Sequence, residues 1–117
     1  MVKGVRYRYL AIKVESEEKF PKSLFMRTLI NSISRLYGLY GLSKTTLSLI
    51  EYDEDERYAI IRCDHASVEL VRSSVASVTK INEIPVYLRT VLISGTLKAL
   101  KRKLNEAFKG VNQKGLS

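Results

Sequence analysis

From Val5 to Glu15 the chain reads VRYRYLAIKVE, with Arg8, Leu10, Ile12 and Val14 on one side of an alternating pattern and Tyr7, Tyr9, Ala11 and Lys13 on the other. A period of two predicts a strand. Polar ESEEKFPK follows and closes at Pro21. Beyond it Ser23 is placed to cap a helix in which Phe25, Leu29, Ile33 and Leu36, with Leu24, Ile30 and Tyr37, recur at helical spacing. In the stretch RLYGLYGLS, Gly38 fits the position just past the helix end, and Gly41 lets the loop turn again before a strand near Lys44. Leu39 and Tyr40 are then displayed on an exposed loop.

KTTLSLIEY and RYAIIRCD flank the acidic run Asp53-Glu54-Asp55-Glu56 and read as two strands of a hairpin. From Ala66 to Thr79, Val68, Val71, Val75 and Val78 fall at steps of three and four, which predicts a helix capped by Asp64 or Ser67. VYLRTVLIS is a strand. GTLKALKRKLNEAFKG is a helix with Leu97, Leu100, Leu104 and Phe108 on one side. The order β-α-β-β-α-β plus one helix predicts an α+β, ferredoxin-like or RNA-recognition-like domain, a four-stranded antiparallel sheet with an extra C-terminal helix. One domain is expected over residues 1–109, with 110–117 a flexible C-terminal tail.

Alternation has a consequence for the sheet's two faces. If Leu10, Ile12, Leu47, Leu49, Ala59, Ile61 and Cys63 face the two helices, then Tyr9, Lys13, Ile50, Tyr58, Ile60 and Arg62 face outward. Tyr9 and Tyr58 would occupy strands where RNA-recognition modules place stacking aromatics. The RNP1-type pattern is nevertheless absent from ERYAIIRC, and Ile50 and Ile60 suit cover by a protein partner or by the C-terminal helix better than contact with bases. Tyr9, Ile50, Tyr58 and Ile60 are therefore candidate protein-interface residues, as are Leu39 and Tyr40, whose loop suits a protein contact such as one between two copies of the chain.

Composition narrows the setting. At 117 residues, 45% hydrophobic and 27% charged, the chain suits one domain, large enough to bury roughly two-thirds of its unfolded surface. One cysteine and one histidine provide neither an internal disulfide nor a structural zinc site. The opening residues lack the apolar core of a signal peptide, and no apolar run approaches the ~20 residues of a membrane span. A cytoplasmic setting is expected.

Net charge is +8. Residues 1–50 carry nine Lys/Arg against three Glu, and 84–117 seven against one, whereas 51–83 carries four against eight acids. Such segregation fits a chain whose two ends lie against phosphates. The C-terminal helix sets Lys98, Lys101 and Arg102 away from its leucines, and Ser94-Gly95-Thr96 at its start could aim backbone amides and hydroxyls at an anion. Arg6, Arg8, Lys44, Arg89, Ser94, Thr96, Lys98, Lys101 and Arg102 are the candidate RNA contacts, chosen on charge and placement. The acidic run lacks the spacing of a calcium loop, and His65 beside Cys63 does not close a zinc site. No phosphate loop, nucleophile elbow or zinc-protease motif is present, so catalysis by these side chains is not expected.

RYRYLAIKVES, the long run LINSISRLYGLYGLSKTTLSLIEYDEDERYAIIRCDHASVELVRSSVASV and VYLRTVLISGTLKALKR together resemble the small protein subunit of archaeal and eukaryotic ribonuclease P, the Pop-five or Rnp-two type, from about Arg6 to Arg102. The resemblance implies a non-catalytic subunit of a ribonucleoprotein endonuclease that removes the 5′ leader of precursor tRNA. It further implies that the RNA subunit binds Mg²⁺ and cleaves, with no cofactor on the protein. A larger TIM-barrel-like protein subunit is the implied partner, and precursor tRNA is met indirectly. Two readings compete: a free-standing RNA-recognition module for single strands, and a ferredoxin-like regulatory or structural dimer without nucleic acid.

Overall fold

The structure, a computed structural model, describes the backbone of residues 6–116 and the side chains of residues 6–107. Strand β1 (Tyr7–Glu15) leads to helix α1 (Lys22–Thr45), the hairpin β2 (Ser48–Asp53) and β3 (Tyr58–Asp64), and, after a 3₁₀ turn at His65–Ser67, helix α2 (Val68–Ala76). A two-residue ladder of β4 (Lys80–Ile81) and β5 (Ile84–Pro85) precedes β6 (Tyr87–Ser94) and helix α3 (Leu97–Leu116). The main sheet runs β2-β3-β1-β6, with each neighbouring pair antiparallel. This is the ferredoxin-like arrangement that the element order predicts. The strand start expected at Val5 lies outside the described residues.

One face of the sheet carries the main core. Leu10, Ile12 and Val14 of β1, Ala59, Ile61 and Cys63 of β3 and Leu88 of β6 pack with Phe25, Leu29 and Ile33 of α1 and Val71 and Val75 of α2. Each fully buried side chain of this size stabilises the fold by ~1.5–3 kcal/mol relative to exposure. The alternation in β1 is what delivers three of them to one face, and the helical spacing of α1 supplies the facing ridge.

α3 covers the other face. Leu100 is fully buried with Ala11 and Ile60, and Leu97 and Leu104 pack there with Tyr9, Ile50, Tyr58 and Leu92. The sheet is therefore sandwiched between helices on both sides. Two register shifts fit the strands to this arrangement: one between Leu49 and Glu51 on β2, the other leaving Val91 of β6 without a partner on β1. Bulges of this kind re-aim side chains locally, and the first brings both Ile50 and Glu51 to the face that α3 occupies.

Three details depart from the sequence reading. α1 begins after Pro21, whose carbonyl accepts from the amides of Leu24 and Phe25, and Ser23 lies inside the helix rather than capping it. The helix also does not end at Gly38. It breaks there, at φ 76° and ψ 176°, and resumes to Thr45, so Leu39 and Tyr40 sit on a second helical segment and not in a loop. Finally, the α3 backbone runs on through 110–116, across the boundary expected at residue 109, while Phe108 lies outside the described side chains. Asp64 caps the 3₁₀ turn that leads into α2, its carboxylate accepting from the Ala66 amide at 2.9 Å, while Ser67, at the N-cap position of α2 itself, makes no side-chain cap bond.

Candidate nucleic-acid interface

Antiparallel pairing decides which charges meet. Tyr7 stands opposite Asp64, Tyr9 opposite both Arg62 and Ser94, and Ser48 opposite Arg62. The starts of β1 and β2 and the ends of β3 and β6 are consequently at one end of the sheet. This end gathers Arg6, Arg8, Arg62, Ser94, Thr96 and Lys98. Lys44 joins them just before β2, where its carbonyl accepts from the Ser67 hydroxyl at 3.3 Å. His65 ties the same end together, its amide donating to the Arg6 carbonyl at 2.8 Å.

Arg6, Tyr7, Arg8, Tyr9, Gly95 and Thr96 line an open cleft of about 570 Å³. One Arg8 guanidinium nitrogen donates to the Tyr7 carbonyl at 3.0 Å. The first turn of α3 forms the far wall. There Thr96 acts as the cap: its hydroxyl accepts from the Ala99 amide at 3.1 Å, and its carbonyl accepts from the Leu100 amide at 3.1 Å. Ser94 is buried and accepts from the Thr96 amide at 3.4 Å. Both hydroxyls expected to face an anion are thus engaged within the turn. The amides of Leu97 and Lys98 precede the first intrahelical bonds, and they carry the positive end of the helix dipole to the cleft.

The opposite end of the sheet has the opposite charge. Glu15, Glu17 and Glu18 lie there with the hairpin turn Asp53–Glu56, bridged by Lys19 to Asp55 at 2.9 Å. Lysine beside it holds the Asp55 carboxyl below its ordinary range. Arg89 belongs to this end. It pairs opposite Lys13, and its Nε donates to Glu15 at 2.7 Å, so it stands away from the other candidates.

Lys101 is also drawn into the fold. Its ammonium lies 2.7 Å from a Glu51 carboxylate oxygen, and the Tyr58 hydroxyl donates to the other oxygen. Lys101 and Tyr58 together hold the Glu51 carboxyl below the usual range, while that bond, with burial, pushes the Tyr58 phenol up to about 12. Lys98 and Arg102 remain exposed on the outer side of α3.

Arg62 was not among the charged residues singled out from sequence, and it belongs to the cluster. Its guanidinium sits over the Tyr7 ring, 4.3 Å from the ring centre. Its outward position in the β3 alternation was the available signal.

The candidate protein-contact residues separate into two sets. Ile60 is fully buried and Tyr9, Ile50 and Tyr58 pack around Leu100, so this face is occupied by the chain's own helix rather than displayed. Leu39 and Tyr40 are 75% and 73% exposed. Leu36 and Tyr37, just before the Gly38 break, are exposed as well, and Lys44 lies 4.6 Å from the centre of the Tyr40 ring. Among the described residues, no three His, Cys, Asp or Glu side chains come together as a metal site would need. Cys63 is buried, which pushes its thiol up to about 11, well away from thiolate chemistry near neutrality. No described helix is long and apolar enough to cross a membrane.

Residues 8–105 match the model of the Rpp14/Pop5 family. The chain belongs to that family. A relative from Pyrococcus furiosus, ribonuclease P protein component 2, is 38% identical over 101 residues, covering 86% of this chain and 84% of that protein. The protein of the same name from Methanocaldococcus jannaschii is 29% identical, over 82% of this chain and 70% of its own length. Among solved structures, a chain of the yeast ribonuclease MRP cryo-EM structure superposes with a TM-score of 0.67 at 17% identity. That match covers 96% of this chain and 98% of the other, and it shows the shared fold. The Rpp14/Pop5 match thus runs from Arg8 in β1 to Asn105 in α3 and takes in Arg8, Lys44, Arg62 and Lys98 of the basic end, with Arg6 and Tyr7 just outside it.

Proposed function

We propose that this chain is a non-catalytic protein subunit of ribonuclease P, the ribonucleoprotein that removes the 5′ leader of precursor tRNA. The carrying observation is the collection of Arg6, Arg8, Arg62, Lys44 and Lys98 at one end of a sheet whose other end is acidic. Phosphates attract the first end and repel the second, so the domain docks on RNA in one orientation. The family relationship supports the assignment, since the similar proteins from Pyrococcus and Methanocaldococcus bear the name ribonuclease P protein component 2.

In this reading the RNA subunit with its Mg²⁺ performs the cleavage. The protein's arginines and lysines neutralise phosphates that fold closely together, which lowers the self-repulsion that Mg²⁺ must otherwise screen. Contacts of this type position RNA without reading its sequence. The exposed side chains of Leu36, Tyr37, Leu39 and Tyr40 face a protein, either the larger TIM-barrel-like subunit or a second copy of this chain.

The test is reconstitution with ribonuclease P RNA and the partner proteins. Replacing Arg6, Arg8 and Lys98 with Ala together raises the Mg²⁺ concentration needed for half-maximal precursor-tRNA cleavage. The partner complex keeps its mass. An unchanged Mg²⁺ requirement removes this end of the sheet from the RNA surface.

A further inference from the structure

α3 starts beside the Tyr9–Ser94 pair and runs toward the acidic end, where Leu104 meets Lys13, Tyr58 and Arg89 around one groove. Tyr7 lies behind the helix start, outside the apolar cluster that α3 covers. At this corner, which the described part of α3 leaves uncovered, the Arg62 guanidinium lies on the Tyr7 ring. Its Nε is buried without a hydrogen-bond partner among the described residues, and Tyr7 and Tyr9 both line the 570 Å³ cleft with Arg6 and Arg8. That volume is within the ~300–1,000 Å³ of sites that enclose small ligands.

A flat aromatic ring backed by a guanidinium is a stacking surface, because both planes attract a nucleobase and neither demands a particular one. Arginines at the same place supply the charge for the adjoining phosphate. A double helix can offer its phosphates to these arginines but cannot use the stacking surface, since its bases are stacked on one another. Strandedness is therefore what the corner distinguishes.

We propose that the cleft takes one unpaired ribonucleotide, its base stacked on the Tyr7 ring that Arg62 backs and its phosphate held by Arg6 and Arg8 beside the first turn of α3. This rests on the reading of the basic end as an RNA surface and adds to it a preference for single strands. Tyr7 contacts the base, with Arg62 behind its ring; Arg6 and Arg8 set the charge.

The experiment titrates the full chain with fluorescently labelled pentauridylate and with a short RNA duplex over a range of salt. Tyr7→Leu weakens pentauridylate binding about tenfold or more, leaves duplex binding and both salt slopes unchanged, and Tyr7→Phe restores the affinity. Arg6→Ala and Arg8→Ala each lower the salt slope by about one for either RNA. In the unsubstituted chain the Tyr7 ring protons move upfield on adding pentauridylate and stay in place with duplex, a readout independent of how the variants fold. Equal small losses on both RNAs, with unmoved ring signals, overturn the stacking site while leaving phosphate binding intact. No binding of either RNA at low salt overturns both.

Discussion

Lys101 of α3 and Glu51 of β2 form an ion pair at 2.7 Å, and the Tyr58 hydroxyl donates to the same carboxylate. This small network fixes the C-terminal helix to the sheet face that RNA-recognition modules leave open. A lysine picked as an RNA contact for its charge is thereby a fold contact, and the free-standing recognition module loses the aromatic face it needs.

The pair makes a pH prediction. The Glu51 carboxyl is held below its reference value of 4.5 in the folded chain, so its contribution is present above pH 4.5 and is lost as pH falls through the lowered value. The Tyr58 phenol is raised from 10.0 to about 12, so its contribution is complete below pH 10 and disappears as pH rises toward 12. Glu51→Gln returns the Tyr58 titration toward 10, which ring NMR signals followed against pH will show. Because the ion pair is partly exposed, with Lys101 about half open to solvent, Lys101→Ala costs only about 0.2–1 kcal/mol in urea unfolding. A Tyr58 that still titrates near 12 in Glu51→Gln would contradict the network.

Leu100 carries more of the helix's docking than the ion pair does. It is fully buried between Ala11 and Ile60, and truncation of such a leucine costs about 2–5 kcal/mol. Leu100→Ala should therefore loosen α3, exposing the apolar face of β1 and β3. Hydrogen exchange at α3 amides rises while amides of α1 and α2 stay protected, and binding of a hydrophobic dye increases. Uniform loss of protection across the chain would mean that α3 is not a separable layer.

The tandem glycines do different work. Gly38 has φ 76° and ψ 176° with open space where a Cβ would stand, a backbone conformation almost confined to glycine. Gly38→Ala costs about 1–3 kcal/mol through backbone strain. Gly41 is buried inside the resumed helix, and a Cβ there would lie 2.6 Å from the Tyr37 Cβ, so Gly41→Ala forces the two halves of α1 apart. Unfolding in urea measures both, and Gly41→Ala alone should also displace Tyr37 and Leu70 signals in NMR spectra.

Much of this fold is legible in the chain because the patterns are local. The alternation of Leu10, Ile12 and Val14 and the spacing of Phe25, Leu29 and Ile33 report burial directly. The Gly38 break was visible too, but not the resumption after it, since a helix can restart wherever its next residues find a surface to cover. The site was less legible for a geometric reason. Charge along the chain says nothing about which strand ends coincide, and only the β1–β3 and β1–β6 registers separate Arg89, paired with Glu15, from Arg8 and Lys98. Arg62 and Lys101 exchanged roles on the same account, one joining the basic corner and the other turning inward to Glu51.

Arg89 accordingly serves as the internal control for the RNA surface. It is held at the acidic end, with its Nε 2.7 Å from Glu15, where seven carboxylates from Glu15, Glu17, Glu18 and Asp53–Glu56 repel a phosphate chain. Arg89→Ala should leave RNA affinity within about twofold and leave the salt slope unchanged, whereas each arginine removed from the basic end lowers that slope by about one. A slope reduced as much by Arg89→Ala as by Arg8→Ala would show that the RNA wraps both ends of the sheet.

The patch beyond the Gly38 break makes the last prediction. Leu39 and Tyr40 are 75% and 73% exposed, on a helical segment whose turn is pinned by the Ser43 hydroxyl donating to the Tyr40 carbonyl at 2.7 Å. Side chains this apolar, presented on a rigid element rather than a pliant loop, lose little conformational entropy when covered, which favours a protein contact over solvent. Lys44 over the Tyr40 ring gives the patch a charged rim. Leu39→Ser with Tyr40→Ser should keep the thermal stability of the isolated chain, because neither side chain is in the core, and should lower the mass of the chain or of its complex with the partner subunit in light scattering. Retention of both masses would free this surface from any protein contact and leave the kink at Gly38 to be explained by the packing of α1 alone.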